Sequence, residues 1–295
     1  MDIEKRIPGL KKEVSLKNYT TLKTGGKARY FFEAETNKDL IKAVKAARDL
    51  KIPFFIMGGG SNLLIDDKGY KGLVVKTKNQ KAKIEKAGIY ADAGAKLSDL
   101  AFLSLKKSLT RLEWAAGIPG TIGGAICGNA GWPTEKRSIS SVVKSVGVLD
   151  AGSKLKTRKI NAKDCNFGYR DSVFKHNKKL IVLGVFLELK KGNKKKIKEG
   201  INDILRKRGR KIPVGFSAGS VFKNPEGRFA GELIEKCGLK GKKIGGAKIS
   251  EKHANFIINF DNAKSKDIEA LIGLAKKEVK RKFGIILEEE IQYLK

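Results

Sequence analysis

Two glycine-rich segments constrain this chain more than anything else in it. The strand-like run Ile52 to Met57 opens directly onto Gly58, Gly59, Gly60, Ser61 and Asn62. Three consecutive residues without a Cβ let successive backbone N–H groups turn inward as a nest for an anion, and a pyrophosphate suits such a nest. A plain turn is the other reading, although a turn needs one or two glycines and not three followed by Ser-Asn. The second segment, Gly117 to Gly131, reads GIPGTIGGAICGNAG and places six glycines in fifteen residues. It is read either as backbone approaching a ligand closely or as a glycine-rich bend between strands. Neither segment is a Walker A loop or a GxGxxG fingerprint, so a P-loop nucleotidase and a Rossmann site are not supported. Two such loops in one strand-rich half suggest a long ligand held at both ends, and a dinucleotide is a ligand of that kind.

The surrounding pattern is a mixed one. Up to about Leu189, short strands are expected at Ala28 to Glu33, Ile52 to Met57, Gly72 to Lys76, Ile89 to Ala93, Val142 to Leu149 and Leu180 to Leu189. Helices are expected at Asn37 to Leu50, capped by Asn37, and near Ser98 to Lys107 behind a Ser cap. The polar stretch Lys190 to Lys196 reads as a joint between domains. Beyond it, helices are expected at Ile197 to Lys207, Phe229 to Cys237 closed by Gly238, and Ser265 to Phe283 closed by Gly284. Short strands are expected around Ser220 to Lys223, Phe256 to Phe260 and Ile285 to Ile291.

Charge is the feature most open to misreading. Lys and Arg number 63 against 31 acidic residues, a formal +32, which brings a nucleic-acid partner to mind. The cations are spread along the whole chain and Lys far outnumbers Arg, whereas a surface that reads bases leans on the bidentate Arg fork. The charge is better read as a solvated surface that steers small anions into a cleft. Cys127, Cys165 and Cys237 are odd in number and far apart, with no CxxC pair, which fits a reducing, cytoplasmic setting. The start has no apolar core for a signal peptide, and the longest apolar run, Leu180 to Leu187, falls well short of the roughly 20 residues that span a bilayer. An exported or embedded protein is therefore not expected.

Six segments in order carry a specific likeness: TTLKTGGKA at Thr20 to Ala28, GGGSNLL at Gly58 to Leu64, GIPGTIGGA at Gly117 to Ala125, YRDSVFK at Tyr169 to Lys175, AGSVFKNP at Ala218 to Pro225 and HANFIIN at His253 to Asn259. Together they resemble the UDP-N-acetylenolpyruvoylglucosamine reductase family, over nearly the whole chain. The resemblance implies an α+β fold with a two-part FAD-binding module of the vanillyl-alcohol-oxidase type, at residues 1–78 and 79–192, and a C-terminal α+β substrate-binding domain at 193–295. It implies noncovalent FAD, NADPH as hydride donor, and reduction of the enolpyruvyl ether of UDP-N-acetylglucosamine-enolpyruvate to UDP-N-acetylmuramate by a monomeric cytoplasmic enzyme. No insertion separates YRDSVFK from the strand at Leu180, so the chain resembles the shorter subtype of that family, without an extra substrate-covering loop.

Residue by residue, the resemblance assigns Arg170 to the enolpyruvyl carboxylate, Ser220 to proton donation and Asn224 to a substrate contact. It adds a catalytic glutamate in the last strand, and of Glu288, Glu289 and Glu290 the one followed by an aliphatic residue is Glu290. Gly58, Gly59, Gly60, Ser61 and Asn62 would hold the cofactor together with Gly117, Pro119, Gly120, Thr121, Gly123, Gly124 and Asn129. The chemistry agrees. Hydride arriving at the methylene of an enolpyruvyl ether leaves carbanion character beside the carboxylate, which calls for a cation and an acid. Strand alternation would put Glu289 on the face opposite Glu290, with Glu288 on the same face about 7 Å back.

The remaining features are weaker. Gly215 to Gly219 satisfies GxSxG, yet a nucleophile elbow needs a strand before it and a helix after it, and Pro213 precedes it here. His176 and His253 have no Cys or carboxylate cluster at ligand spacing, so no metal site is expected and His253 reads as a structural histidine. Two departures stand out: the chain closes Ile291-Gln292-Tyr293-Leu294-Lys295 where the family usually has a basic residue and a glycine, and Trp132-Pro133 follows the second loop where small residues are usual. Two other readings stay open, a flavin oxidase of the same fold and a basic nucleic-acid-binding protein.

Overall fold

A computed structural model of the chain describes residues 3–85, 88–132, 137–152 and 154–295. Pro133 lies outside the described residues. The chain divides into two compact units, each assembled from separated stretches. The first takes Met1–Leu10, Phe32–Gly59 and Leu73–Arg208; the second takes Lys11–Phe31, Gly60–Gly72 and Gly209–Lys295.

The first unit is built on a five-stranded antiparallel sheet in the order Lys156–Asn161, Val143–Asp150, Leu180–Glu188, Gly88–Asp92, Ala82–Glu85. Its central strand LIVLGVFLE is apolar almost throughout, as a strand covered on both faces must be, and it is buried as far as Val185. Ile122 and Ile126 of the short helix Ile122–Cys127, with Trp114, Ile89, Val146 and Leu187, belong to the core of this unit. Trp114 is fully buried and satisfies its indole N–H on the Arg111 carbonyl at 3.0 Å. A smaller element runs beside this sheet in sequence. The strand Phe54–Met57 pairs in parallel with Leu73 to Lys76, and the helix Asn37–Asp49 leads into it. Thr36, and not Asn37, caps that helix, through a capping box with Asp39. Asn37 instead bonds Asp92 and Asn79 inside the unit.

In the second unit, Lys243–Ile244, Ala247–Ile249 and Ile257–Asn259 form an antiparallel sheet. The helix Ser265–Phe283 buries Ile268, Leu271, Ile272, Ala275 and Val279, a 3–4 residue spacing that makes one apolar stripe. Gly284 closes it at φ +69, the left-handed conformation for which glycine carries no steric cost. At its other end, Ser265 and Asp67 bond each other through side chain and backbone. The strand Gln292–Leu294 lies parallel to Leu63–Ile65, and Lys11–Ser15 pairs with the strand Lys27–Ala34 through Phe31.

Besides the cap at Thr36, four expectations are corrected. The helix expected at Ile197 to Lys207 runs Lys194–Lys211, and its buried Ile197, Ile201 and Ile204 are part of the core of the first unit. Its polar sequence reads as a joint because only one residue in three or four is apolar, enough for a single buried stripe. The second helix starts at Leu97 after Lys96, with no side-chain cap from Ser98. Ser220 to Lys223 makes only isolated bridges, Ser220 to Phe256 and Phe222 to Glu289. Ile285 to Ile291 is not a regular strand, since extended pairing resumes only at Gln292. Among the described residues, no helix is long and apolar enough to cross a membrane.

Candidate functional site

In the first unit the two glycine loops meet backbone to backbone. A Cβ on Gly58 would stand 2.5 Å from the Thr121 hydroxyl, and one on Gly59 would stand 2.7 Å from the Cα of Gly120. Real Cβ atoms are not found so close to main chain, so this contact admits no side chain. Gly117 and Gly120 adopt φ +74 and +110. Gly123 packs its Cα against Ala93, whose carbonyl accepts the Gly123 N–H at 2.9 Å. Thr121 caps the helix Ile122–Cys127 by accepting the Gly124 N–H, while Gly124 itself faces open space on its Cβ side apart from Thr121. Among the described residues, the amides of Gly59, Gly120 and Thr121 donate to no protein acceptor. Uncommitted amides, two of the three on glycines, are the donor set that a diphosphate requires, so the residues present fit the pyrophosphate of FAD.

Gly60, Ser61 and Asn62 belong to the second unit. Gly60 takes φ +66 with its Cα against the Tyr19 carbonyl. Asn62 donates its side-chain amide to the Glu290 carbonyl at 3.0 Å and accepts the Gln292 N–H on its own carbonyl at 3.0 Å. Its side chain thus anchors the final segment of the chain.

Arg170 sits at the corner of a tight turn, Gly168 to Asp171, in which each end residue donates its N–H to the other's carbonyl. The turn puts Arg170 at φ +54, a conformation that costs a side-chain-bearing residue roughly 1–2 kcal/mol and persists where the surroundings over-determine it. The surroundings do so here. Asn129, itself at φ +41, donates to the Gly168 carbonyl at 2.7 Å and accepts the Ser140 N–H at 3.2 Å. Ser172 donates to the Cys127 carbonyl at 2.8 Å, His176 bonds Asp171 at 2.8 Å, and Lys175 donates to the Arg170 carbonyl at 3.2 Å. The guanidinium donates to the Gly131 carbonyl at 2.9 Å and lies 5.5 Å from the Tyr169 ring. Asn129 was read from sequence as a cofactor contact; its side chain is engaged at both ends in holding the Arg170 turn.

Ser220, Asn224 and Glu290 all lie in the second unit, and the Val221 carbonyl, next to Ser220, accepts the Glu290 N–H. The segment from Ser220 lies between Phe256 on one side and Glu289 on the other. Asn255, buried in the HANFIIN motif, clamps it by accepting the Phe222 N–H at 2.9 Å and donating to the Phe222 carbonyl at 2.8 Å. This role was not read from the sequence, although the motif itself was its signal. The Ser220 hydroxyl is half-buried and makes no hydrogen bond among the described residues. Asn224 accepts the Ala230 N–H at 3.1 Å, at the start of the helix Ala230–Lys236.

The three glutamates diverge. Glu288 pairs with Lys223 at 2.5 Å at the surface. Glu289 accepts from Lys276 at 2.7 Å and from the Tyr293 hydroxyl at 2.6 Å. Burial opposes its charge, but Lys276 and Tyr293 together outweigh burial and hold its carboxyl below the usual range; the same burial and bond push the Tyr293 hydroxyl up. Glu290 is half-buried, and the Val221 carbonyl accepts both the Glu290 N–H at 2.8 Å and the Ile291 N–H at 3.3 Å. Two residues opposite one is the signature of a β-bulge, which re-aims side chains and interrupts simple alternation. Glu289 is engaged by Lys276 of the helix Ser265–Phe283 and by Tyr293.

Ser217 of the GxSxG match has no strand before it and no helix after it, and its carbonyl accepts the Thr21 hydroxyl at 2.7 Å. His253 accepts the Asn255 N–H at 3.2 Å, and burial lowers its pKa.

Residues 28–158 match the family described as FAD binding domain, and residues 213–294 match that described as UDP-N-acetylenolpyruvoylglucosamine reductase, C-terminal domain. The chain is 44% identical over 287 residues to UDP-N-acetylenolpyruvoylglucosamine reductase from Caldicellulosiruptor bescii, covering 96% of this chain and 90% of that one. It is 39% identical over 300 residues to the protein of the same name from Clostridium novyi, covering 99% and 96%. Among solved structures, UDP-N-acetylenolpyruvylglucosamine reductase from Thermus caldophilus is similar with TM-score 0.81 and 33% identity, covering 96% of this chain and 98% of that one. A variant of Phl p 4, a glucose oxidase, shares the fold alone, at TM-score 0.50 and 18% identity over 75% of this chain and 51% of that one.

Two outcomes follow from this geometry. Gly59→Val forces a branched side chain into the Gly120 backbone, so the purified variant should carry much less flavin, read as the ratio of visible to ultraviolet absorbance; full occupancy would contradict the meeting of the loops. Glu289→Gln should destabilise the fold by up to about 1 kcal/mol at pH 7, discounted for the solvent-facing part of the ion pair. A carboxyl held low in the folded state contributes stability above its unfolded value, about 4.3 for Glu, and that stability is lost as pH falls through the folded value. Thermal unfolding of the two proteins should therefore converge on acidification below about pH 4.

Proposed function

Because the chain belongs to the UDP-N-acetylenolpyruvoylglucosamine reductase family, an FAD-binding group of oxidoreductases in peptidoglycan precursor synthesis, we propose that it reduces the enolpyruvyl ether of UDP-N-acetylglucosamine-enolpyruvate with NADPH as the electron source and FAD held noncovalently. The proposed division keeps an FAD module at residues 1–78 and 79–192 and a substrate domain at 193–295, although the compact units group Lys11–Phe31 and Gly60–Gly72 with Gly209–Lys295 and the apolar stripe of Lys194–Lys211 lies in the first core. The family matches at 28–158 and 213–294 support that division.

When bound and reduced by NADPH, FAD would supply a hydride to the enolpyruvyl methylene, and the amides of Gly59, Gly120 and Thr121 would hold its diphosphate. What this chain's residues then do follows from charge and geometry. Electron density left on the carbon beside the carboxylate is best stabilised by a fixed cation, and the Arg170 guanidinium, set by its turn, can pair a carboxylate through two parallel bonds. The carbon needs a proton, and the Ser220 hydroxyl supplies it from Oγ. Serine is a weak acid in water but acidic enough toward a nascent carbanion about 3 Å away. Glu290 is the third side chain assigned to this step, in which charge builds at the enolpyruvyl carboxylate. Asn224 orients the substrate.

The observation that supports this reading is the setting of Ser220: it is bridged to Phe256, two residues before the Phe222 main chain that Asn255 clamps, inside the segment that matches the reductase C-terminal domain. Absence of a cysteine or histidine from Gly58 to Asn62 favours noncovalent flavin over the tethered flavin of an oxidase.

Two sets of variants test the proposal. Ser220→Ala should leave bleaching of the flavin by NADPH near normal and slow the return of colour on adding substrate by about 10²–10⁴-fold, the usual worth of general acid catalysis. Equal loss in both phases would reject Ser220 as the acid. Arg170→Lys keeps the charge without the planar fork, and the substrate phase should fall by roughly 10²–10³. Glu290→Gln should slow that same phase, whereas Glu289→Gln should leave it nearly unchanged; the reverse result would move the catalytic glutamate by one residue.

A further inference from the structure

Lys76 is the last residue of the parallel pairing between Phe54–Met57 and the strand Tyr70–Thr77, opposite Met57. Its side chain does not extend into solvent. The ammonium donates to the Gly58 carbonyl, the first residue of the glycine loop, in a close contact. Burial, with Lys78 adding to it against Glu33, lowers the Lys76 pKa. Glu33 is itself paired with Lys78 at 2.8 Å. A lysine drawn out of water onto a main-chain carbonyl has a specific geometric effect, because a peptide group is planar and trans. Fixing the Gly58 carbonyl toward Lys76 points the N–H of Gly59 the opposite way. That N–H is one of the uncommitted amides, on the residue whose Cα meets Gly120.

Three consecutive glycines are the most flexible stretch a backbone can contain. Without an outside anchor, the Gly58–Gly59 peptide is free to rotate, and ordering it would be charged against ligand affinity. A bond from an ammonium also polarises the amide, which strengthens its N–H as a donor. We infer that Lys76 is a positioning residue for the cofactor: it presets the Gly58–Gly59 peptide so that the Gly59 N–H is presented to a diphosphate. The inference rests on the FAD reading above and adds to it a residue outside both glycine loops, acting from behind the backbone without touching the ligand.

The test uses the holoprotein. Wild type, Lys76→Met and Lys76→Arg are purified with flavin, and FAD release after dilution is followed by the recovery of free-flavin fluorescence. The Met variant should release FAD about tenfold faster, equivalent to about 1.4 kcal/mol. The Arg variant, which restores a cationic donor of similar reach, should lie within about threefold of wild type. Thermal unfolding of the flavin-stripped proteins should differ little, since the contact organises a loop and not a core. Lys76→Gln, keeping a neutral donor, should fall between Met and wild type and gives the same reading if the Met variant is insoluble. Release from Lys76→Met at the wild-type rate overturns the inference, as does an Arg variant as leaky as Met with both stripped proteins unfolding early. A wild-type protein without flavin would instead bring down the FAD reading itself, a separate and recognisable failure.

Discussion

The close approach of Gly58 and Gly59 to Gly120 and Thr121 is the contact on which the rest of the first unit's function depends. At Gly59 and Gly120 two backbones lie this close only because neither carries a side chain, while Gly58 makes room for the Thr121 hydroxyl. The loops would be costly in an ordinary protein. Uncommitted amides and left-handed residues at Gly117 and Gly120 repay nothing unless an anion arrives to accept them. The elements around the loops take up that cost by rigidity: a central strand buried over most of its length, a short helix capped by Thr121, and Ala93 beneath Gly123.

Fold and site were legible in the sequence to different depths. The central strand at Leu180 and the helix closed by Gly284 were plain because apolar period and a left-handed glycine are local signals. The helix Ile122–Cys127 was hidden because two of its six residues are glycines, so local propensity argued for loop while packing against the sheet decided for helix. The Ile285 to Ile291 stretch shows the opposite failure. Its composition reads as strand, yet pairing is broken by one carbonyl serving two amides, a detail with no sequence signature. Glu289 and Glu290 were separable in principle by alternation, and the structure separates them by a different means, committing Glu289 to Lys276 and Tyr293.

The polar residues that organise the site were the least legible. Asn129, Asn62 and Asn255 each use a side-chain amide to hold a backbone carbonyl far away in sequence: Gly168, Glu290 and Phe222. Asparagine in a loop normally signals only a turn, and long-range amide bonding of this kind appears once the chain is folded. All three lie within or beside the motifs that resemble the family, so the motifs encode the scaffolding around the proposed catalytic residues as much as those residues themselves.

The left-handed Arg170 has an implication for how this enzyme can be improved. Glycine is the residue that corner of the turn would accept without steric cost, and asparagine the next most tolerant. Selection for stability alone would therefore drift away from arginine there, and under the role proposed for Arg170 a screen that enriches only for heat resistance or soluble yield would reward inactive molecules. On that proposal robustness and activity pull against each other at this position, and a consensus or thermostability campaign has to hold it fixed.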